Sequence, residues 1–362
     1  MDNKGNQSRE ILLRILERAR WAPSGDNTQP WRFRVISADQ VIVYGHDTRD
    51  EILYDFDGHA SHMAHGALLE TLRLAASAEG LTVQWTAKSD PEWRKIEYLV
   101  SFKADPCLTP DSLHPFIEQR TVQRRPMGSK ALTDEQRQAL VNAVGQEYTL
   151  QLFEPFAERK AIAGLLWKNA RIRLTCPEAY PIHKGIIEWG ARFSEDRIPE
   201  QAVGVDPMTA KLMRWVMKSW ERVDFFNRYL MGTVFPRIQL DYVPAMMCSA
   251  HVLIKPKVPP STLEDWVNLG ATMQRVWLTV TQIGMHLQPE MTPVIFRWYR
   301  QANRQFSRDQ DIASQIQALS QVFESIAKAD AGDSFGFFGR IGFSKVPRSR
   351  SLRLSLNKLL NG

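Results

Sequence analysis

An α+β protein made of two related halves is what this sequence predicts, and three observations carry the expectation. Helical and strand periodicities alternate along the chain, one helix-and-strand segment recurs in its second part, and 362 residues exceed one small module. Hydrophobic residues make up 44% and charged residues 24%. That usage excludes a fibrous repeat or a long disordered chain and allows a sizeable core.

Ser8 is a suitable cap for a helix from Arg9 to about Trp21, with Ile11, Leu12, Ile15, Leu16 and Ala19 on one face. Pro23 and Gly25 end it. Trp31-Arg32-Phe33-Arg34-Val35 then alternates apolar and basic residues like a half-buried strand, with Val41 to Tyr44 as its partner. Helical spacing returns from His62 to Glu79, Gly80 stands where a C-terminal cap belongs, and Lys95 to Phe102 reads as a strand.

Gly66 to Gln84 aligns without gaps on Gly270 to Gln288. Gly66/Gly270, Ala67/Ala271, Leu74/Leu278, Gly80/Gly284 and Gln84/Gln288 are identical, against about one match expected by chance. In both copies a helix opens at one glycine, closes at another, and leads into an extended segment ending in Gln. This predicts duplication rather than two unrelated helices. The proline-rich stretch Asp105 to Pro115 sets the boundary, giving halves 1–113 and 114–362. The second half is longer, and residues 184–236 read as an insertion containing one helix from Met208 to Met231. That helix carries Lys211, Arg214, Lys218 and Arg222 opposite Leu212, Met213, Val216, Trp220 and Val223. Such a face suits a membrane surface or a partner, and the plainer expectation is a solvated side over a packed one.

Two segments stand out chemically. Ala22-Pro23-Ser24-Gly25-Asp26-Asn27-Thr28-Gln29-Pro30-Trp31 joins a helix to a strand, and its small and amide residues suit close approach of a flat ligand or, equally, a capped turn. Arg120-Thr121-Val122-Gln123-Arg124-Arg125-Pro126-Met127 offers three guanidiniums to a phosphate, and Arg348-Ser349-Arg350 with Arg353 forms another basic cluster. The formal charge of +6 permits attraction to anions without choosing one.

The loop, following an amphipathic helix, resembles the A-P-S-x-x-N-x-Q-P-W segment of the nitroreductase superfamily of flavin enzymes. The Arg120 segment resembles that family's R-x-[S/T]-x-R phosphate motif, with Val122 at the hydroxyl position and Thr121 displaced by one. The order of the motifs is reversed relative to ordinary members, which resembles the single-chain, two-copy branch. The resemblance implies a nitroreductase-like α+β fold whose halves form an intramolecular pseudo-dimer around one FMN site, beside a degenerate second one. It implies that Ser24, Gly25, Asn27 and Gln29 meet the ring or ribityl chain, and that Arg120 and Arg124 hold the phosphate. Arg348 and Arg350 would close on that phosphate, and Gln288-Pro289-Glu290 would direct backbone N–H groups toward the ring. It implies hydride transfer from NADH or NADPH through FMN to a small organic acceptor, with residues 184–236 as a lid. No catalytic acid or base is named. The alternative is a protein that sequesters FMN beneath a closed lid with little turnover.

Weaker signals point elsewhere. His59, His62 and His65 are spaced three apart, but successive steps of three drift around a helix, so no metal site is expected. Cys107, Cys176 and Cys248 have no C-x-x-C spacing, and the glycines at 336, 339 and 342 lack a dinucleotide fingerprint. The eleven tryptophans are scattered, so nucleic-acid binding is not expected. No apolar run is long enough to span a membrane and the N-terminus carries no signal segment, so a cytoplasmic protein is expected. The pseudo-dimer needs no further oligomer.

Overall fold

The computed structural model describes residues 2–330 and 332–361. Helix α1 (Asp2–Ala19) buries Leu12, Ile15, Leu16 and Ala19, so its core face is the one the spacing predicts. Its start is earlier than expected, with Ser8 inside the helix, because no Pro interrupts the turns before it. The chain continues through β1 (Trp31–Val35), β2 (Gln40–His46), α2 (His59–Ser77), β3 (Leu81–Ser89) and β4 (Lys95–Ala104). The four strands form one antiparallel sheet in the order β1-β2-β4-β3. Along β4, Ile96, Tyr98, Val100 and Phe102 are buried and alternate with more exposed residues, as a sheet covered on one face requires.

The next helix, α3 (Asp134–Ala143), opens on a capping box between Thr133 and Gln136. Strand β5 (Tyr148–Phe153) and helix α4 (Phe156–Thr175) follow. An irregular region then runs through α5 (Tyr180–Gly185), three two-residue strands, β6 (Ile187–Glu188), β7 (Phe193–Ser194) and β8 (Ile198–Pro199), and helices α6 (Pro207–Val216), α7 (Trp220–Tyr229), α8 (Val234–Arg237) and α9 (Val243–Met246). The expected single helix from Met208 to Met231 is therefore two. Ser219 adopts extended backbone angles and accepts a hydrogen bond from Arg222 N, starting a new helix instead of continuing the old one. Strand β9 (Ala250–Pro256), α10 (Leu263–Gln282) and β10 (His286–Pro289) come next. Helices α11 (Thr292–Gln301) and α12 (Gln310–Ile326), a second excursion that the sequence pattern does not announce, precede β11 (Phe337–Gly342), β12 (Arg350–Ser351) and α13 (Leu356–Leu359).

The second sheet runs β5-β9-β11-β10, again wholly antiparallel. Setting β5 on β1, β9 on β2, β10 on β3 and β11 on β4 gives the same strand order, and α10 takes the place of α2. These two helices pack directly on each other. A Cβ on Gly66 would lie 1.8 Å from Val267 O, and one on Gly270 would lie 1.9 Å from Met63 O, so only glycine permits the backbones to approach this closely. The shift along the sequence that carries Gly66 to Gly270 also carries Met63 to Val267. It carries Glu70 to Gln274 and Thr71 to Arg275, and the bonded pairs Arg275–Glu70 (2.7 Å) and Gln274–Thr71 (3.0 Å) exchange under it. Gly80 and Gly284 end the two helices with φ of +69° and +77°.

Each sheet has its own core, and Val267 and Leu278 of α10 belong to the core of the first sheet. The C-terminal segment crosses back to that sheet, where Asn361 N donates to Phe33 O at 2.8 Å. Among the described residues no helix is long and apolar enough to cross a membrane.

Candidate functional site

A cavity of about 330 Å³ lies where α2, α10 and the end of β10 meet the 23–30 loop, the 120–124 segment and the C-terminal segment. That volume falls within the range of small-molecule sites. Ser24, Gly25, Asn27, Arg120, Arg124, Gln288, Pro289 and Arg350 line it. Gln29, Glu290 and Arg348 do not.

The loop is held in a strained conformation. Asp26, Asn27 and Gln29 have φ of +48°, +67° and +50°, and such left-handed non-glycine residues persist only where surroundings enforce them. Gln29 supplies part of that enforcement. Its Nε2 donates to Asn27 O and Glu195 O, and its Oε1 accepts from Leu354 N, so the amide is spent on the protein and faces no ligand. Ser24 Oγ accepts from Gln29 N, and Asn27 Nδ2 donates to Glu195 O and Leu352 O. Asn27 Oδ1, buried, has no partner among the described residues. Around Gly25 an added Cβ would meet nothing, so space alone does not demand glycine there.

Arg120 is 4% exposed. Its guanidinium lies 4.5 Å from the Trp277 ring centroid and donates to Trp21 O, leaving Nε without a partner among the described residues. Arg350 lies over Trp21 and donates to Glu118 O, with Nε likewise unpartnered. Arg353 donates to Ala22 O and Leu352 O. Burial holds the Arg120 pKa well below the usual arginine range, reinforced by the charges of Arg353 and Arg350. Burial and neighbouring Arg350 bring Arg353 down to about 9. Arg124 is lowered to about 10 by burial, against the opposing pull of Asp26. Arg297 and Arg340, also buried, pair with Glu324 and Glu290. Arg120, Arg350 and Arg353 form no such ion pair among the described residues, so their positive charge is left unbalanced and suits an anion, while that of Arg124 is partly offset by Asp26.

Two expectations are corrected here. Glu290 is paired with His251 and Arg340, and its backbone N donates to Phe338 O, while Pro289 has no N–H. Neither of these two residues offers a backbone donor to the cavity. Gln288 does line it, and keeps a buried, unpartnered Oε1. Arg348 is exposed and its carbonyl accepts from Arg192, so its place beside Arg350 in sequence does not bring it to the site. The three histidines at the start of α2 are engaged separately. His59 stacks on Trp266, His62 bonds Trp93 O and His65 bonds Pro30 O.

Several lining residues carried no local sequence signal. Tyr54, from the first half, shares a hydrogen bond of 2.9 Å between its hydroxyl and His183 Nε2, and burial lowers the His183 pKa to about 3, which favours the neutral ring. Arg173 pairs with Asp241, whose pKa burial pushes up to about 6. Asp26 is raised by burial, with Arg124 and Arg173 opposing. Asp26 and Arg353 lie within segments that the sequence marks; Tyr54, Arg173, His183 and Trp277 look like any core or helix residue. Of residues 184–236 only Ile186, Ile198 and Ala202 line the cavity; α6 and α7 stand outside it.

A second, more open groove is lined in part by Gln84, Trp85, Glu264 and Asn268. Under the shift relating α2 to α10, these correspond to Gln288, Pro289, Ala60 and Ala64 of the first cavity. No arginine lines this groove among the described residues.

The fold and site thus define an α+β chain with an arginine-lined cavity between two sheets of like topology. Residues 3–55, which contain α1, the strained loop and the first two strands, match the model of the Nitroreductase family. An uncharacterised protein of Mycobacterium tuberculosis is 25% identical over 313 residues, covering 85% of this chain and 42% of the relative. The chain therefore spans less than half the length of that relative. Among solved structures, the FMN-dependent nitroreductase NfnB of Mycobacterium smegmatis in complex with NADPH has 10% identity and a TM-score of 0.38, covering 68% of this chain and 96% of its own. Iodotyrosine deiodinase bound to FMN and 3-iodo-L-tyrosine has 8% identity and a TM-score of 0.36, covering 67% and 94%.

Proposed function

We propose that this chain is an FMN-dependent oxidoreductase of nitroreductase type that takes hydride from NADH or NADPH and delivers it to a small organic acceptor. The observation that carries the proposal is the cavity itself, where unpaired, buried guanidiniums stand beside a strained APS-type loop. The residues fit the cofactor on their own chemistry: Arg120 Nε, Arg350 Nε, Gln288 Oε1 and Asn27 Oδ1 are buried polar atoms without partners among the described residues, and all four residues line one space. Bound FMN would supply the two-electron redox chemistry. Arg120, Arg350 and Arg353 would hold the phosphate by charge-assisted hydrogen bonds, with Arg124 adding positive charge. Ser24, Asn27 and Gln288 would orient the polar edges of the ring and the ribityl chain, while Met63, Met273 and Ile295 offer apolar surface.

The same reading takes residues 1–113 and 114–362 as two copies of one unit, folded as a dimer would be around a single cofactor. It is supported by the matched sheet orders, by the reciprocal glycine contacts of α2 and α10, and by the arginine-free groove as the degenerate counterpart site. Residues 184–202 would act as the inner layer of a lid.

A second reading, FMN sequestration with little turnover, is favoured by one specific feature. Asn27 and Gln29 both donate to Glu195 O of the insertion, which ties the lid to the loop. An absorbance spectrum of the pure protein, taken before and after anaerobic addition of NADPH or NADH, separates the readings. Flavin bands that bleach support the oxidoreductase, and bands unchanged by either donor support sequestration. Absence of flavin bands together with no FMN uptake on titration rejects both.

A further inference from the structure

The outer layer of the insertion is not used by the cavity, and its surface is unlike the rest of the molecule. Among the described residues, nine of the eighteen exposed large apolar side chains fall between Met208 and Ile238. On α6, Met208, Leu212 and Trp215 recur at helical spacing; on α7, Phe225 and Tyr229 are one turn apart, and Phe235 follows on α8. Met208 is 80% and Tyr229 71% exposed. Apolar side chains this concentrated mark an interaction surface in a water-soluble fold. Basic residues accompany them: residues 206–238 hold Lys211, Arg214, Lys218, Arg222 and Arg228 outside the core, with Arg237 buried, against Asp206, Glu221 and Asp224, and Asp224 is already paired with Arg228. Lys211, Arg214 and Lys218 are exposed and form no ion pair among the described residues.

We propose that α6, α7 and the turn into α8 dock this chain on the surface of an anionic phospholipid bilayer. Charge complementarity selects that occupant. A second copy meeting this face across a two-fold axis would set the same basic residues against each other. Anionic headgroups would instead receive Lys211, Arg214 and Lys218, while Trp215, Phe225 and Tyr229 enter the headgroup and acyl boundary, as amphipathic interfacial helices do.

The test is flotation of the full chain with vesicles of equimolar phosphatidylcholine and phosphatidylglycerol, beside vesicles of phosphatidylcholine alone. The chain is expected to float with the anionic vesicles, to stay behind with the neutral ones, and to bind less at high salt. The double variant Phe225→Ser, Tyr229→Ser changes two exposed side chains and leaves Trp215 packed on Phe226 and Arg222; like the triple variant that adds Trp215→Ser, it should lose flotation, and it should keep its circular dichroism and melting temperature. Lys211→Gln with Arg214→Gln should lower partitioning roughly thirtyfold, given the attraction each basic residue gains near an anionic surface. Failure of the native chain to float with anionic vesicles, equal flotation of the triple variant, or a dimer that the triple variant abolishes would each overturn the proposal. None of these readouts depends on bound FMN, so the proposal and the oxidoreductase reading fail separately.

Discussion

Arg120 and His251 show opposite treatments of buried positive charge. Arg120 has aromatic and carbonyl neighbours but no carboxylate, so its charge is available to a ligand. Replacing Arg120 or Arg350 by Ala is therefore expected to weaken FMN binding by about 1.5–3 kcal/mol each, as measured by fluorescence titration. Unchanged affinity in both variants would place the phosphate elsewhere. His251 has both ring nitrogens on acceptors, Glu290 Oε2 at 2.8 Å and Ala245 O at 3.0 Å, so both nitrogens donate and the ring is charged. Its pKa is raised: burial opposes the charge, and the interactions with neighbouring Cys248 and Glu290 outweigh it. A raised folded-state value gives stability that is fully present below the unfolded histidine pKa, about 6.5, and is lost as pH rises through the folded value. The urea midpoint should accordingly fall from about pH 6.5 upward, and Glu290→Gln should flatten that slope. Because Glu290 also holds Arg340, which donates to Arg124 O, the variant should lose roughly 3–5 kcal/mol of stability, the usual effect of breaking a buried pair.

The contact between α2 and α10 depends on two glycines. A methyl group at either would overlap a backbone carbonyl oxygen of the other helix, and helix backbones cannot yield as a flexible side chain would. Gly66→Ala and Gly270→Ala are each expected to destabilise the fold by at least the roughly 1–3 kcal/mol of overpacking, read as a lower urea midpoint. They should also weaken FMN binding, since Met63 and Ala64 of α2 and Met273 and Trp277 of α10 line the same cavity. The control Ser77→Ala, at the far end of α2, would lose only the Ser77 bonds to Leu74 and Asp111 and should leave FMN affinity unchanged. The matching of α2 and α10 was legible in sequence because glycine spacing records a backbone contact directly. The break between α6 and α7 was not, because Met217 and Lys218 are compatible with helix and only the extended backbone at Ser219 ends it.

For the molecule as a whole, the cavity draws Ser24 and Asn27 from the first half and Arg120, Trp277 and Arg350 from the second. One FMN per chain is the expected stoichiometry, because the related groove lacks arginine. Titration to two equivalents would show that the groove binds as well and would count against its description as degenerate.

The sequence alone determined the helix and strand periodicities, the recurrence of the segment Gly66 to Gln84 at Gly270 to Gln288, the APS-type loop as a candidate site and the clustering of arginines, since each of these is written in local spacing. Tertiary structure decided which of those residues face one space. Gln29, Glu290 and Arg348 sit in the right segments but have their polar groups engaged or exposed elsewhere. Tyr54 reaches the cavity from a turn and Arg173, His183 and Trp277 from three separate helices. The physical reason is that a side chain's direction and its partners depend on packing between distant elements, which no local pattern in the chain records.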